Sequence, residues 1–134
     1  MTSPSLELQD MVVRRLKAFA GLDPLIADRV YDVPPTAATF PYLSWGPEQA
    51  LQDDAECITG FEISLQIDAW SRTVGLGEVK PIVEQVRLAL HNYETTLSAN
   101  ALVSIQHTST QYLRDPDGLT NHAVIEFSAF IEQP

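Results

Sequence analysis

Tyr112-Leu113-Arg114-Asp115-Pro116-Asp117-Gly118-Leu119-Thr120-Asn121-His122, running on into Ala123-Val124-Ile125-Glu126-Phe127-Ser128-Ala129-Phe130-Ile131, decides the fold class. Pro116 presets φ for the first central position of a turn. Asp115 can cap that turn with its side chain, and Gly118 tolerates a positive φ. Beyond the turn, Ala123, Ile125, Phe127, Ala129 and Ile131 fall on one face. A period of two marks a half-buried strand, so the stretch reads as a strand leaving a hairpin. Asp115-x-Asp117 superficially matches a calcium loop. The sixth position, where such a loop needs glycine, is Thr120, so the stretch reads as turn chemistry.

Working back from the hairpin, Leu102 to Leu113 reads as its first strand, with room for a bulge, and the closing strand covers about 121–132. Val79, Ile82, Val83, Val86, Ala89 and Leu90 recur at helical spacing and predict a helix over 77–91. Pro81 fits only in its first turn, where amide donors lack partners anyway. Cys57 to Trp70 is the clearest strand: Phe61, Ile63, Leu65, Ile67 and Ala69 alternate with Glu62, Ser64, Gln66, Asp68 and Trp70. Phe40 to Gly46 predicts another strand, with Pro41 at its start or on a sheet edge. Pro47 to Glu56 reads as a long acidic loop or irregular hairpin arm, and Arg29 to Val33 as a short strand stopped by Pro34-Pro35. Asp23-Pro24 can open a short helical turn through Ala27. Ser3-Pro4 supplies an N-cap and a first-turn proline for a helix over 4–20, with Leu8, Met11, Val12, Leu16 and Phe19 on its apolar face. The order is α-β-β-β-α-β-β. The expected fold is α+β, a mostly antiparallel sheet with two helices packed on one face.

The 134 residues, 1–134, fit a single domain, and that length can bury one core without disulfides or metal. The lone cysteine, Cys57, permits no intramolecular disulfide. No stretch approaches the ~20 apolar residues of a membrane span. Met1-Thr2-Ser3-Pro4 lacks the charged and apolar regions of a signal peptide, so a cytosolic protein is expected. The net charge is −10, and it is unevenly spread. Between Val30 and Ser71 there is no Lys or Arg, while Asp32, Glu48, Asp53, Asp54, Glu56, Glu62 and Asp68 all fall there. Such a surface favours solubility and repels phosphate backbones, which excludes direct nucleic-acid affinity as the expected role.

No residue pattern announces catalysis. His91, His107 and His122 lie on different elements and none pairs with cysteine at metal-ligand spacing, so no metal, cofactor or catalytic residue is expected. Each reads as a surface or rim histidine. Cys57 lacks any signature of a nucleophile and reads as a small packing residue. Gly75-x-Gly77 lacks the third glycine of a dinucleotide fingerprint. Trp45 reads as core. Trp70 reads either as packed at its strand end or as an interface anchor.

Several stretches in order carry a resemblance. They are Arg29-Val30-Tyr31-Asp32 before Pro34-Pro35, Phe40-Pro41-Tyr42-Leu43, Ile67-Asp68-Ala69-Trp70-Ser71-Arg72, Val86-Arg87-Leu88-Ala89-Leu90-His91, and Tyr112 to Thr120. Together they resemble the tail-completion, or tail-terminator, proteins of long-tailed phages and phage-derived gene transfer agents, the Arg-Asp-Pro-Asp-Gly turn being most similar to the gene transfer agent branch. The resemblance implies a structural, non-enzymatic protein, a minor tail protein. It implies a homo-hexameric ring that caps the tail tube, contacts the tail tube protein and a head-tail connector or stopper protein, and lets DNA pass without specific binding. It implies assembly in the bacterial cytoplasm, then a place in the particle at the head-proximal end of the tail.

A cyclic ring needs two different complementary patches per subunit. The interface candidates are Trp70, Asp53, Asp54, Glu56, Tyr112 and Arg114. An acidic lumen, drawn from the Asp53–Glu56 region, is expected to keep DNA mobile. The alternative is a monomeric or dimeric cytosolic α+β binding domain or enzyme, with Cys57 or His107 as its only candidates.

Overall fold

The computed structural model describes residues 2–134. It contains helices α1 (Pro4–Ala18), α2 (Asp23–Ile26) and α3 (Val79–Leu90). The strands are β1 (Val30–Tyr31), β2 (Tyr42–Gln52), β3 (Thr59–Ser71), β4 (Ala101–Arg114) and β5 (Asn121–Gln133). The fold is α+β, and the order is the expected one with the short α2 added. The strands form one sheet in the order β1-β2-β3-β5-β4. All neighbours are antiparallel except β1, which runs parallel to β2.

Helix α1 starts where its cap dictates. Ser3 Oγ accepts from Leu6 N–H at 3.2 Å, and Pro4 occupies the first turn. It ends at Ala18, two residues before the expected boundary, because Phe19 is already extended. Leu8, Met11, Val12 and Leu16 are buried on its inner side. Helix α3 buries Val79, Ile82, Val83, Val86, Ala89 and Leu90. Both helices cover Ile63, Leu65, Ile67 and Ala69 of β3 and Ala123, Ile125, Phe127, Ala129 and Ile131 of β5. Each large side chain removed from water here contributes about 1.5–3 kcal/mol.

Three features decide or correct what the sequence left open. Strand β2 continues past Gly46 to Gln52, with a register shift between Trp45 and Glu48, so the acidic stretch is the irregular hairpin arm and not the long loop. Pro47 lies inside that shift. A proline has no N–H to give a ladder, and a bulge is where a strand can carry it. Cys57 is exposed, not a packing residue, because it sits at the outer end of the β2–β3 hairpin. Finally, β5 inserts between β3 and β4, so the strand before the Asp115–Gly118 turn forms the sheet edge. That edge strand carries two register shifts, between Leu102 and Ser104 and between His107 and Ser109.

A buried carboxylate ties the helical layer to the start of β4. Glu7 accepts from Asn100 N–H at 2.8 Å, Ala99 N–H at 3.1 Å and Asn100 Nδ2 at 3.1 Å. Burial pushes its carboxyl up, but these donors together outweigh burial and hold it below the ordinary glutamate value.

Candidate functional site

The helices cover one sheet face and leave the other open. On the open face β3 presents Glu62, Ser64, Gln66, Asp68 and Trp70, which stand opposite Phe130, Ser128, Glu126, Val124 and His122 of β5. Strand β2 adds Ser44 and Gln49, which pair with Asp68 and Ser64. Strand β4 adds Gln106, Ser109, Gln111 and Leu113. These residues include no lysine or arginine.

At one end of this face five side chains interlock. The Trp70 and His122 rings stack with centroids 3.8 Å apart and planes 10° apart. Trp70 Nε1 donates to Ser44 Oγ at 3.0 Å. His122 Nε2 meets Asp68 Oδ1 at 2.7 Å, and Gln66 Nε2 donates to the same oxygen at 2.8 Å. Trp70 is half-buried, so its one exposed side is presented by neighbours that fix its orientation. Such a preorganised aromatic loses little conformational freedom on contact, which suits an interface anchor. The sequence placed Trp70 and Asp68 on one face by alternation. His122 joined them only through the β3–β5 register, which alternation within one strand does not carry.

Asp53, Asp54 and Glu56 lie at the other end of β2 and β3, on an exposed hairpin tip. The tip is ordered by its own bonds. Asp54 Oδ1 accepts from Gly60 N–H at 3.2 Å and from Gln52 Nε2 at 3.0 Å, and Ala55 bridges Ile58. Gly60 is required here, because a Cβ on it would lie 2.5 Å from the Asp53 carbonyl oxygen. Glu56 adopts a left-handed φ of 49°.

Tyr112 and Arg114 lie on the edge strand. Tyr112 is half-buried toward the helices, with Lys80 Nζ 5.2 Å from its ring centre, and burial raises its phenol. Arg114 is exposed at the end of β4. The six candidates therefore fall into three separate places: Trp70 on the open face, the three carboxylates at the tip, and Tyr112 with Arg114 on the edge.

The turn between β4 and β5 is held more tightly than its sequence announced. Gly118 has φ of 74°. Asp115 Oδ1 accepts from Asp117 N–H at 3.1 Å, as its capping role requires. The larger share falls to Asp117, whose carboxylate accepts from Leu119 N–H, Thr120 N–H and Thr120 Oγ1, each at 2.8 Å. The backbone donors of Thr120 and Leu119 hold the Asp117 carboxyl below its ordinary value. Arg72 Nε donates to Thr120 Oγ1 at 3.1 Å, so the corner is tied to the end of β3.

His107 is half-buried, bonds Thr110 Oγ1 at 2.7 Å and packs edge-on against Phe127. Burial first, then the charges of Arg87 and His91, lower its imidazole below the ordinary value. No thiol or acid bonds to it. Among the described residues, no group of three or more His, Cys, Asp or Glu is placed to hold a metal ion, and no helix is long and apolar enough to cross a membrane.

The fold thus presents an open sheet face whose paired strand residues carry no lysine or arginine, an ordered exposed hairpin tip, and a half-buried Trp70 whose orientation its neighbours fix. Residues 10–132 match the family Tail completion protein gp17, and the chain belongs to that family. It is similar over its whole length to a chain of the structure described as "Virion of native gene transfer agent (GTA) particle". That likeness has a TM-score of 0.91 and 26% identity, and it covers 98% of this chain and 99% of the other. No match is found among curated proteins. The protein is a structural tail protein.

Proposed function

We propose that this protein forms a homo-oligomeric ring, hexameric as the family resemblance implies, that caps the tail tube and joins it to the head-side connector while DNA passes through. The observation that carries this reading is the full-length likeness to a chain of a gene transfer agent virion particle, within the tail completion family. The open sheet face supports it. Glu62 and Glu126 there would repel the phosphates of passing DNA, and no lysine or arginine among its strand residues would trap them. This reading moves the expected acidic lumen from the Asp53–Glu56 tip to the sheet face and frees the tip for subunit contacts.

The test is assembly with the protein's own tail-tube protein. Light scattering should give a closed oligomer of fixed mass, and electron microscopy should find that oligomer at one end of tubes whose growth has stopped. Persistent monomer with the tube protein present, or tubes that keep growing, would reject the ring.

A further inference from the structure

We propose that the cleft between α1 and the segment 93–96 is the docking site for the β2–β3 hairpin tip of a second copy of this chain. The cleft has a volume of about 330 Å³, and Arg14, Arg15, Ala18, Tyr93 and Thr95 line it. Its lining side chains include no carboxylate; Glu94, between Tyr93 and Thr95, is exposed outside the lining. Arg15 is preset: its Nε donates to the Ala89 carbonyl at 3.0 Å, and its guanidinium carbon lies 4.1 Å from the Tyr93 ring centre. Arg14 is exposed beside it. Among the described residues, neither arginine has a carboxylate within ion-pair distance; the pairs present are Arg87 with Glu84 and His122 with Asp68.

The tip is the complement. Its residues 53–58 are all exposed and include Asp53, Asp54 and Glu56 but no cation. Leu51 and Ile58 at its base are 49% and 47% exposed, which gives it an apolar flank for the Tyr93 wall. The Asp54 bonds and the close approach at Gly60 hold it rigid before any contact. Tip and cleft lie on different elements of one subunit, so their union is head-to-tail and propagates from copy to copy, as ring closure demands. A nucleic-acid phosphate is the other ligand two arginines could take. The net charge of −10 disfavours its approach.

The inference rests on the ring reading, and Cys57 at the tip allows the two to be tested separately. Ala18→Cys places a second thiol in the cleft. Mild oxidation of the assembled Ala18→Cys protein should give a ladder of disulfide-linked species beyond the dimer. The Ala18→Cys/Cys57→Ser protein, with one thiol, can give dimers at most. Arg14→Glu in the Ala18→Cys background should cut the ladder on the order of tenfold through like-charge repulsion, and adding Glu56→Lys should restore it. Light scattering on each variant reports assembly independently. A closed oligomer without a ladder, or a ladder indifferent to both charge changes, overturns the tip-to-cleft contact and leaves the ring standing. Monomer throughout overturns both.

Discussion

At the residue scale, Glu7 and Trp70 carry separable consequences. Glu7 is buried and accepts from Ala99 and Asn100, so its carboxylate belongs to the folded state. Its folded pKa lies below the unfolded value of 4.5. The stabilisation is therefore full above about that pH and is lost as pH falls through the lower, folded value. Glu7→Gln should cost about 1–3 kcal/mol at neutral pH, because an amide turns donors toward donors or leaves them unmet. Thermal melts of the wild type should lose stability below pH 4.5, and the variant should lose less over the same interval. Equal slopes would remove Glu7 from the acid response. Trp70→Ala removes the stack on His122 and the bond to Ser44. Half-buried, it should cost the monomer about 1–2 kcal/mol while leaving its circular dichroism native. Assembly on tail tubes should fall far more. Loss of the folded spectrum would assign Trp70 to the core instead, and unchanged assembly would remove it from the interface.

At the element scale, the hairpin tip depends on one missing methyl group. Gly60→Ala puts a Cβ about 2.5 Å from the Asp53 carbonyl, so the two strands must part at the tip. Amide exchange at residues 53–58 should accelerate, and limited proteolysis should cut there first, while β5 exchange stays slow. A tip as protected as in the wild type would mean the hairpin does not need this approach. The same element marks the limit of what the sequence made legible. Alternation revealed β3 and β5 and their buried faces, because the period of two lies within each strand. It could not reveal that they are neighbours, since that register joins residues such as Trp70 and His122 far apart in the chain. The Trp70–His122–Asp68 cluster was hidden for that reason. Pro47 breaks the local strand signal, so periodicity alone leaves the stretch after Gly46 open between a loop and an irregular hairpin arm; in the sheet a bulge absorbs the proline and the arm forms. Cys57 read as a packing residue by composition alone, but its position is set by the turn between two strands.

At the scale of the whole molecule, the cations are sorted by face while carboxylates lie on both, and that sorting makes a prediction about DNA. The helical side holds Arg14, Arg15, Lys17, Lys80 and Arg87, whereas the strand residues of the open sheet face hold no lysine or arginine. A fixed charge acts over about 8 Å at physiological salt. If the open face lines the channel, Glu62 and Glu126 repel DNA at contact range, while the cations of the helical layer are screened from it. Glu62→Lys/Glu126→Lys changes the subunit charge by four, from −10 to −6, and both new cations lie on the open face. If that face lines the channel, the variant should still fold and close into a ring, because neither side chain enters the core. It should also retain DNA at low salt, with retention falling steeply as salt rises, which is the signature of counterion release. Particles carrying it should package or eject DNA more slowly than the wild type. The same two lysines placed on the helical layer, at Gln9 of α1 and Glu84 of α3, make the control. That variant carries three charges more than the wild type, −7 against −10, so it separates the place of charge from its amount. Equal DNA retention by both variants would mean that net charge alone governs contact with DNA, and would remove the open sheet face from the lumen.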